Sequence, residues 1–301
     1  MKQELGESAS VNRYRDWGIF KYWFRGVETN APWVNNIYLI TCGQVPEWLN
    51  LEHPKLKLIN HKDYIPKEYL PTFNSNVIEL FLCRIPELSE KFVLFNDDVF
   101  VINNIAEEDF FKGNIPVDQY MENAITNLKY DNKFFHILAN DIGIVNEKVN
   151  KKFKIKKRYS IKYGLKRNFI NMLCSLWPNF MGFYNPHLAL PHLKSDFTNL
   201  WTTDEEKMLK TARNRFRGYD DINHWVFRYL RLAKGNFYPS NIKGTYVSVE
   251  NKNDELRKQF EISKNKMICV NDDKEVDFCV AQKDLIEIFE KRFPNKSSFE
   301  K

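Results

Sequence analysis

Asp97 and Asp98 stand side by side in Phe95-Asn96-Asp97-Asp98, directly behind the apolar run KFVLF at Lys91–Phe95. In open α/β sheets, ligands gather outside the carboxyl ends of strands. Two adjacent carboxylates there repel each other unless a proton or a cation intervenes. That arrangement suits a divalent ion such as Mg2+ or Mn2+ and a phosphate-bearing substrate that needs one. The same acids would also serve as ordinary turn or helix caps. Asn271-Asp272-Asp273 comes after the run KMICV at Lys266–Val270 and repeats the strand-then-acid order, which a plain turn also favours.

Arg217, Asp220 and Asp221 fall in RFRGYDDINHW at an apparent helix start, where acids are favourable through the helix dipole alone. Arg15-Asp16 and Arg84 offer either a salt bridge or a planar fork for phosphate. His187 and His192 flank a proline in NPHLALPHL. Either is a packing residue or a base that takes a proton from an attacking hydroxyl near neutral pH. Their spacing of five differs from the helical pair of zinc enzymes. The chain has no glycine-rich phosphate loop and no nucleophile elbow. On residues alone, the chemistry supported is that of a metal-dependent enzyme acting on phosphate.

The elements that must position these groups are legible as an α/β pattern. Trp17, Phe20, Trp23, Phe24 and Val27 recur at helical spacing and predict an amphipathic helix over Arg13–Glu28. Asn30-Ala31-Pro32 stops it. NIYLIT (Asn36–Thr41), KLKLINH (Lys55–His61) and KFVLF predict strands, with a helix over Ser75–Arg84 between the last two. Strands alternating with helices predict a largely parallel sheet flanked by helices. Beyond Asp118 the pattern turns mainly helical, with helices expected over Asp204–Arg213 and Asp220–Leu232. A strand over Lys266–Val270 and a helix over Lys283–Phe293 close the chain. The pattern divides into three segments: an α/β core over 1–117, a basic and mainly helical insertion over 118–182, and a stretch over 183–301 that completes the core.

The 301 residues can bury a core without staples. Five cysteines, odd in number, far apart and without a CxxC pair, signal neither a disulfide framework nor a zinc site, and fit a reducing cytoplasm. The polar opening MKQELGESAS predicts no cleaved secretion signal, and no apolar stretch is long enough for a membrane span. The formal charge of +6 is concentrated between Lys148 and Arg167, a run without a single acid. It is either a solvated face or a contact for an anionic acceptor glycan or the inner membrane face. In the second case Lys151, Lys152, Lys156 and Lys157 would carry the contact. Nucleic acid is not expected, because no recognised binding motif accompanies the charge.

Several separate strings resemble the Stealth family. Its members are bacterial enzymes of capsule and cell-wall polysaccharide synthesis, related to the catalytic subunit of animal N-acetylglucosamine-1-phosphotransferase. RYRDWGIFKYWFRGVETNAPWVNNIYLIT, GQVPEWLN, HKDYIP, LPTFNSNVIEL, FNDDVF and DFF resemble the family's second block, over Arg13 to Phe111. NPHLALPHL with FRGYDDINHWVFRYL is similar to the third block, and KMICVNDD to the fourth. The resemblance implies a GT-A-like, Rossmann-like nucleotide-sugar fold. It also implies a reaction: a UDP-sugar gives up hexose- or N-acetylhexosamine-1-phosphate to a polysaccharide or lipid-linked glycan hydroxyl and releases UMP.

Carried over by position, Asp97 and Asp98 match the family's paired acids and are expected at the metal, with Asp272 completing the site. Asp98, His187 and Arg217 are the expected catalytic residues: His187 as base toward the acceptor hydroxyl, Arg217 stabilising the transferring phosphoryl group. Asp221 would orient Arg217 or bind substrate, and Arg15, Asp16, Asn74, Ser75 and Arg84 would line the donor pocket. The family's first block, an apolar strand ending in a Thr-Trp-Val-Asp-Gly-like string, has no counterpart here. An upstream start, a truncation and a loss of donor binding all fit that departure. The histidine spacing in the third block departs as well. A glycosyltransferase attacking the anomeric carbon would release UDP instead of UMP, and an inactive binding subunit would release neither.

Overall fold

The computed structural model describes residues 15–126, 129–151, 156–241, 243–272 and 274–301. Helix α1 (Phe20–Asn30) starts later than the apolar periodicity predicts. Gly18 takes φ +71°, and its N–H donates to Asp16 Oδ1 at 2.8 Å. Arg15 and Asp16 therefore lie in a bend ahead of the helix and not inside it.

Strands β1 (Ile37–Thr41) and β2 (Leu56–Asn60) come next, then the short helix α2 (Ser75–Leu80), whose N-terminus is capped by the Asn74 side chain accepting from Asn76 N–H. After α2 the chain forms β3 (Lys91–Leu94), β4 (Val99–Val101), β5 (Phe111–Lys112) and β6 (Ile115–Asp118). Two helices, α3 (Lys133–Lys148) and α4 (Leu165–Cys174), precede β7 (Leu190–Leu193). Helices α5 (Lys194–Thr203), α6 (Glu205–Ala212) and α7 (Trp225–Lys234) lead to β8 (Tyr238–Pro239) and β9 (Gly244–Ser248). Helix α8 (Asp254–Ile262), strand β10 (Met267–Asn271) and helix α9 (Phe278–Arg292) end the fold.

The architecture is mixed α/β, and the expected predominance of parallel pairing does not hold among the described residues. The pairs β1–β2, β9–β10 and β6–β8 are parallel, whereas β4–β10, β3–β7 and β5–β6 are antiparallel. The antiparallel pairs arise where strands from far along the sequence, β7 and β10, return alongside β3 and β4, and where a two-residue turn joins β5 to β6. The described strands fall into four small ladders: β1–β2, β4–β10–β9, β3–β7 and β5–β6–β8.

Two apolar clusters support these ladders. In the first, α1 and α9 cover β4 and β10, whose first four residues are all buried. The helix approaches β4 so closely that a Cβ on Gly26 would lie 2.5 Å from the Val101 carbonyl oxygen, which is why glycine occupies that turn. Arg25, inside this layer, donates to Glu300 Oε1 at 2.8 Å and to the Phe293 carbonyl at 2.6 Å, tying α1 to the C-terminus. The second cluster packs α2, α3, α5 and α6 around α7, which is buried from Trp225 to Ala233. Its charged anchor is Arg228, which grips Asp118 through two bonds of 2.8 Å. Strand pairs β3–β7 and β6–β8 stitch the stretch before residue 119 to the stretch after residue 189. Helix α3 packs along α7, so the segment over 118–182 shares a core with the helices of the C-terminal segment.

Candidate active site

The β4–β10 ladder places one acidic end. Cys269 pairs with Val99, and Val270 N–H donates to the Asp98 carbonyl at 2.8 Å, so Asp98 and the Asn271-Asp272 turn leave the sheet at the same edge. Asp98 is half-buried. Its Oδ2 accepts from the Cys269 thiol at 3.3 Å, while its buried Oδ1 has no hydrogen-bond partner. Burial pushes its carboxyl above the usual range, against the thiol's donation, and the charge of Asp97 adds to the rise. Asp97 beside it is exposed. Asp272 is paired with Arg15 at 3.6 Å, and the Arg15 guanidinium lies over the Phe278 ring. Asp273 lies outside the described residues. Among the described residues no three His, Cys, Asp or Glu side chains converge as a ready cation cage. The donor set fits a magnesium-type ion held by one or two carboxylates with substrate phosphates completing the shell.

The loop between α6 and α7 builds a second, cationic cluster. Asp221 is fully buried and accepts from Asn214 Nδ2 at 2.7 Å, Asn74 Nδ2 at 2.7 Å, Asn76 Nδ2 at 3.0 Å and Gly218 N–H at 3.1 Å. Burial raises its carboxyl in spite of these donors. Asp221, expected to orient Arg217 or bind substrate, and Asn74, expected in the donor pocket, are both sealed inside and clamp the loop to the start of α2. What the clamp presents is Arg217, half-exposed, donating from Nη2 to Ser75 Oγ at 2.7 Å. Asp220 faces outward to Lys210 at 3.2 Å.

One turn along α2 from Ser75 lies Glu79, inside the LPTFNSNVIEL string but not singled out there as a site residue. Burial lifts its carboxyl to about 7, opposed by the charge of Arg217 and by the His224 backbone N–H. His224 Nδ1 stands 3.5 Å from Glu79 Oε2, and burial holds that imidazole down to about 3, neutral at physiological pH. Asp141 on α3 is another acid that sequence reasoning misses. It is fully buried, accepts from Asn223 N–H at 3.1 Å, and is pushed well above the carboxylate range by burial. The available signal for Glu79 is its helical spacing from Ser75; Asp141 sits in an apolar helix with nothing local to mark it.

His187 joins the two ends. Its ring approaches Trp225 at 5.6 Å, Tyr246 at 6.0 Å and Phe134 at 6.2 Å between centroids. Trp225 stacks on His224 of the arginine cluster. The Tyr246 hydroxyl accepts from Asn271 Nδ2 at 2.7 Å, next to Asp272. The side chain remains exposed, yet loss of hydration among these rings lowers the imidazole's proton affinity. His187 also has φ +46°, the one non-glycine residue with positive φ among the described residues. Such strain persists where surrounding structure over-determines it, and it clusters at functional sites.

Other expected site residues lie apart. Arg84 is exposed, with its guanidinium over the rings of Phe81 and Trp201. Asp16 spends its carboxylate on Gly18 N–H. His192 is wholly buried on β7 between Phe92 and Phe197, and burial pushes its imidazole well below the usual value. Of the lysines expected on an anionic partner, Lys151 is buried against Glu122 at 2.6 Å and Lys157 donates to the Phe237 carbonyl at 2.6 Å. Neither is available, Lys152 lies outside the described residues, and of the three described only Lys156 is exposed. No helix among the described residues is long and apolar enough to cross a membrane.

Comparison with known proteins returns one consistent class. The profile of Stealth protein CR2, conserved region 2, matches residues 13–118. A capsular polysaccharide phosphotransferase WcwK of Streptococcus pneumoniae is 44% identical over 97% of this chain and 88% of its own. The exopolysaccharide phosphotransferase cps2G of Lactiplantibacillus plantarum is 37% identical over 96% of this chain and 87% of its own. The receptor polysaccharide phosphotransferase WefC of Streptococcus gordonii is 37% identical over 97% and 88%.

Proposed function

Because the chain belongs to the Stealth family, whose curated relatives are polysaccharide phosphotransferases, we propose that it is a phosphotransferase moving a sugar-1-phosphate from a UDP-sugar to a hydroxyl of a growing surface polysaccharide, with release of UMP. The acceptor oxygen attacks the phosphorus next to the sugar, and a new O–P bond forms. The pyrophosphate O–P bond breaks and UMP leaves, so the anomeric configuration is kept. The fold proposed for this core is GT-A-like, a reading supported by the parallel β1–β2 and β9–β10 pairs.

The observation that supports this reading is the contact of the His187 ring with Tyr246, which is bonded to Asn271 beside Asp272, and with Trp225, which stacks on His224. Neutral and exposed, it is suited to take the acceptor's proton. Arg217, oriented by Ser75, stabilises charge on the transferring phosphoryl group. Arg15 is a phosphate partner for the donor, since its present partner Asp272 is itself an oxygen donor for a cation. A magnesium or manganese ion held by Asp98, with Asp97 and Asp272 as further oxygen donors, would neutralise the donor's diphosphate. The buried, partnerless Asp98 Oδ1 supports that assignment.

Phosphorus NMR of the product tests the reaction type. A phosphodiester signal linking sugar to acceptor is expected. A product without phosphorus, accompanied by UDP, would make the enzyme a glycosyltransferase instead.

A further inference from the structure

Helix α4 is built inside out. Its buried positions are Asn171 and Cys174. Asn171 donates to the Tyr120 and Arg158 carbonyls at 3.1 and 2.9 Å and accepts from Glu122 N–H at 2.9 Å. Asn168 bonds the Ser160 and Gly164 carbonyls at 2.7 and 2.9 Å. Amides thus anchor the helix to the protein, and its apolar side chains face water. Leu165 is 91% exposed, and Phe169, Met172 and Leu173 extend the same face. Ile161, 97% exposed, and Leu176 with Trp177 continue it before and after the helix. Contiguous apolar surface of this kind on a soluble fold marks an interaction site.

The charge around this face selects its partner. No Asp or Glu occurs between Glu147 and Asp196. Lys156 and Lys166 are exposed, with Lys162 exposed one turn ahead of α4. An apolar face with aromatic residues, set in a stretch of chain that carries cations and no acids, matches the interface of an anionic bilayer: rings and aliphatic chains enter the acyl boundary while lysines meet headgroup phosphates. We propose that α4, with Ile161 before it and Trp177 after it, docks this chain on an anionic phospholipid surface. A protein partner or a second copy would need no such one-sided charge. None of its residues belongs to the candidate active site, so it stands or falls without the reaction assigned above.

Flotation of the full chain with vesicles of mixed phosphatidylglycerol and phosphatidylcholine tests this. The parent should float with them and much less with phosphatidylcholine alone. The triple variant Leu165→Ser/Phe169→Ser/Trp177→Ser should lose about tenfold or more of the binding. Lys156→Gln/Lys166→Gln should weaken it and flatten its salt dependence. If the triple variant melts early, the single Leu165→Ser decides, expected to show a smaller loss in the same direction. A parent that stays unbound overturns the proposal, as do apolar variants that float like the parent. So does a dimer, seen by light scattering, that these substitutions dissolve while vesicle binding is absent.

Discussion

The Arg217 guanidinium is held by the Ser75 hydroxyl, Nη2 donating to Oγ at 2.7 Å across 142 positions of sequence. This bond joins the start of α2 to the loop before α7, two regions that carry no common motif. It fixes the orientation of the arginine's planar fork. Ser75→Ala should lower the rate of UMP release about tenfold with little change in melting temperature. Arg217→Lys should cost about 10²–10³-fold, since an ammonium cannot reproduce the fork. Steady-state kinetics check both, and an effect confined to KM would contradict a role in the transition state.

His187 separates chemistry from folding. Glycine at this position suits φ +46°, so the relief of strain offsets the added freedom of the unfolded chain. His187→Gly should melt within about 1 kcal/mol of the parent while UMP release falls about 10²–10⁴-fold. Because the imidazole's proton affinity is lowered, the acid limb of the parent's rate profile should fall below pH 6.5. Loss of stability together with activity would assign His187 to packing.

Glu79 gives stability a particular pH dependence. Its carboxyl titrates near 7 in the folded protein and near 4.5 when unfolded, so between these values the native state holds the extra proton. Stability from this residue is therefore full below about pH 4.5 and is lost as pH rises through 7. Glu79→Gln should gain on the parent as pH rises from 5 to 8, by about 1–3 kcal/mol. Urea unfolding at both pH values measures this; parallel curves would contradict it.

The Arg228–Asp118 pair is the buried charge on which the second cluster depends. Both carboxylate oxygens are engaged, and a third bond runs from Arg228 Nη1 to the Tyr184 carbonyl at 2.8 Å. Arg228→Met strands Asp118 with Arg231 at 3.8 Å as its remaining cation, and should cost about 3–5 kcal/mol. Denaturant titration checks it, and a loss under about 1 kcal/mol would mean that water reaches the carboxylate.

Regular elements are readable in the sequence where the apolar period is strong. The strands expected at NIYLIT, KLKLINH, KFVLF and KMICV all form, within a residue or so at their ends. Short or irregular strands are not readable. Strand β7 contains Pro191, which lacks an N–H, and it forms because, among the described residues, β7 pairs on one side only, with β3. β4 is three residues long and comes too soon after β3 to suggest a separate strand. For the site, the residue types of Asp98, His187 and Arg217 are visible in the sequence, but their relation is not. It depends on the Trp225–His187–Tyr246 contacts between distant elements. Asp221 and Asn74 look like ligand contacts because polar loop residues usually are exposed; only burial reveals them as a clamp.

Nucleotide release from a UDP-sugar with magnesium or manganese, by the parent and by Asp98→Ala, tests the central claim most directly. The account predicts UMP and no UDP from the parent, and a loss of about 10³-fold or more in a variant that still melts normally. UDP as the product, or an Asp98→Ala variant as active as the parent, would contradict it. Neither nucleotide, with no UDP binding by calorimetry, would contradict it as well and make this chain a binding subunit.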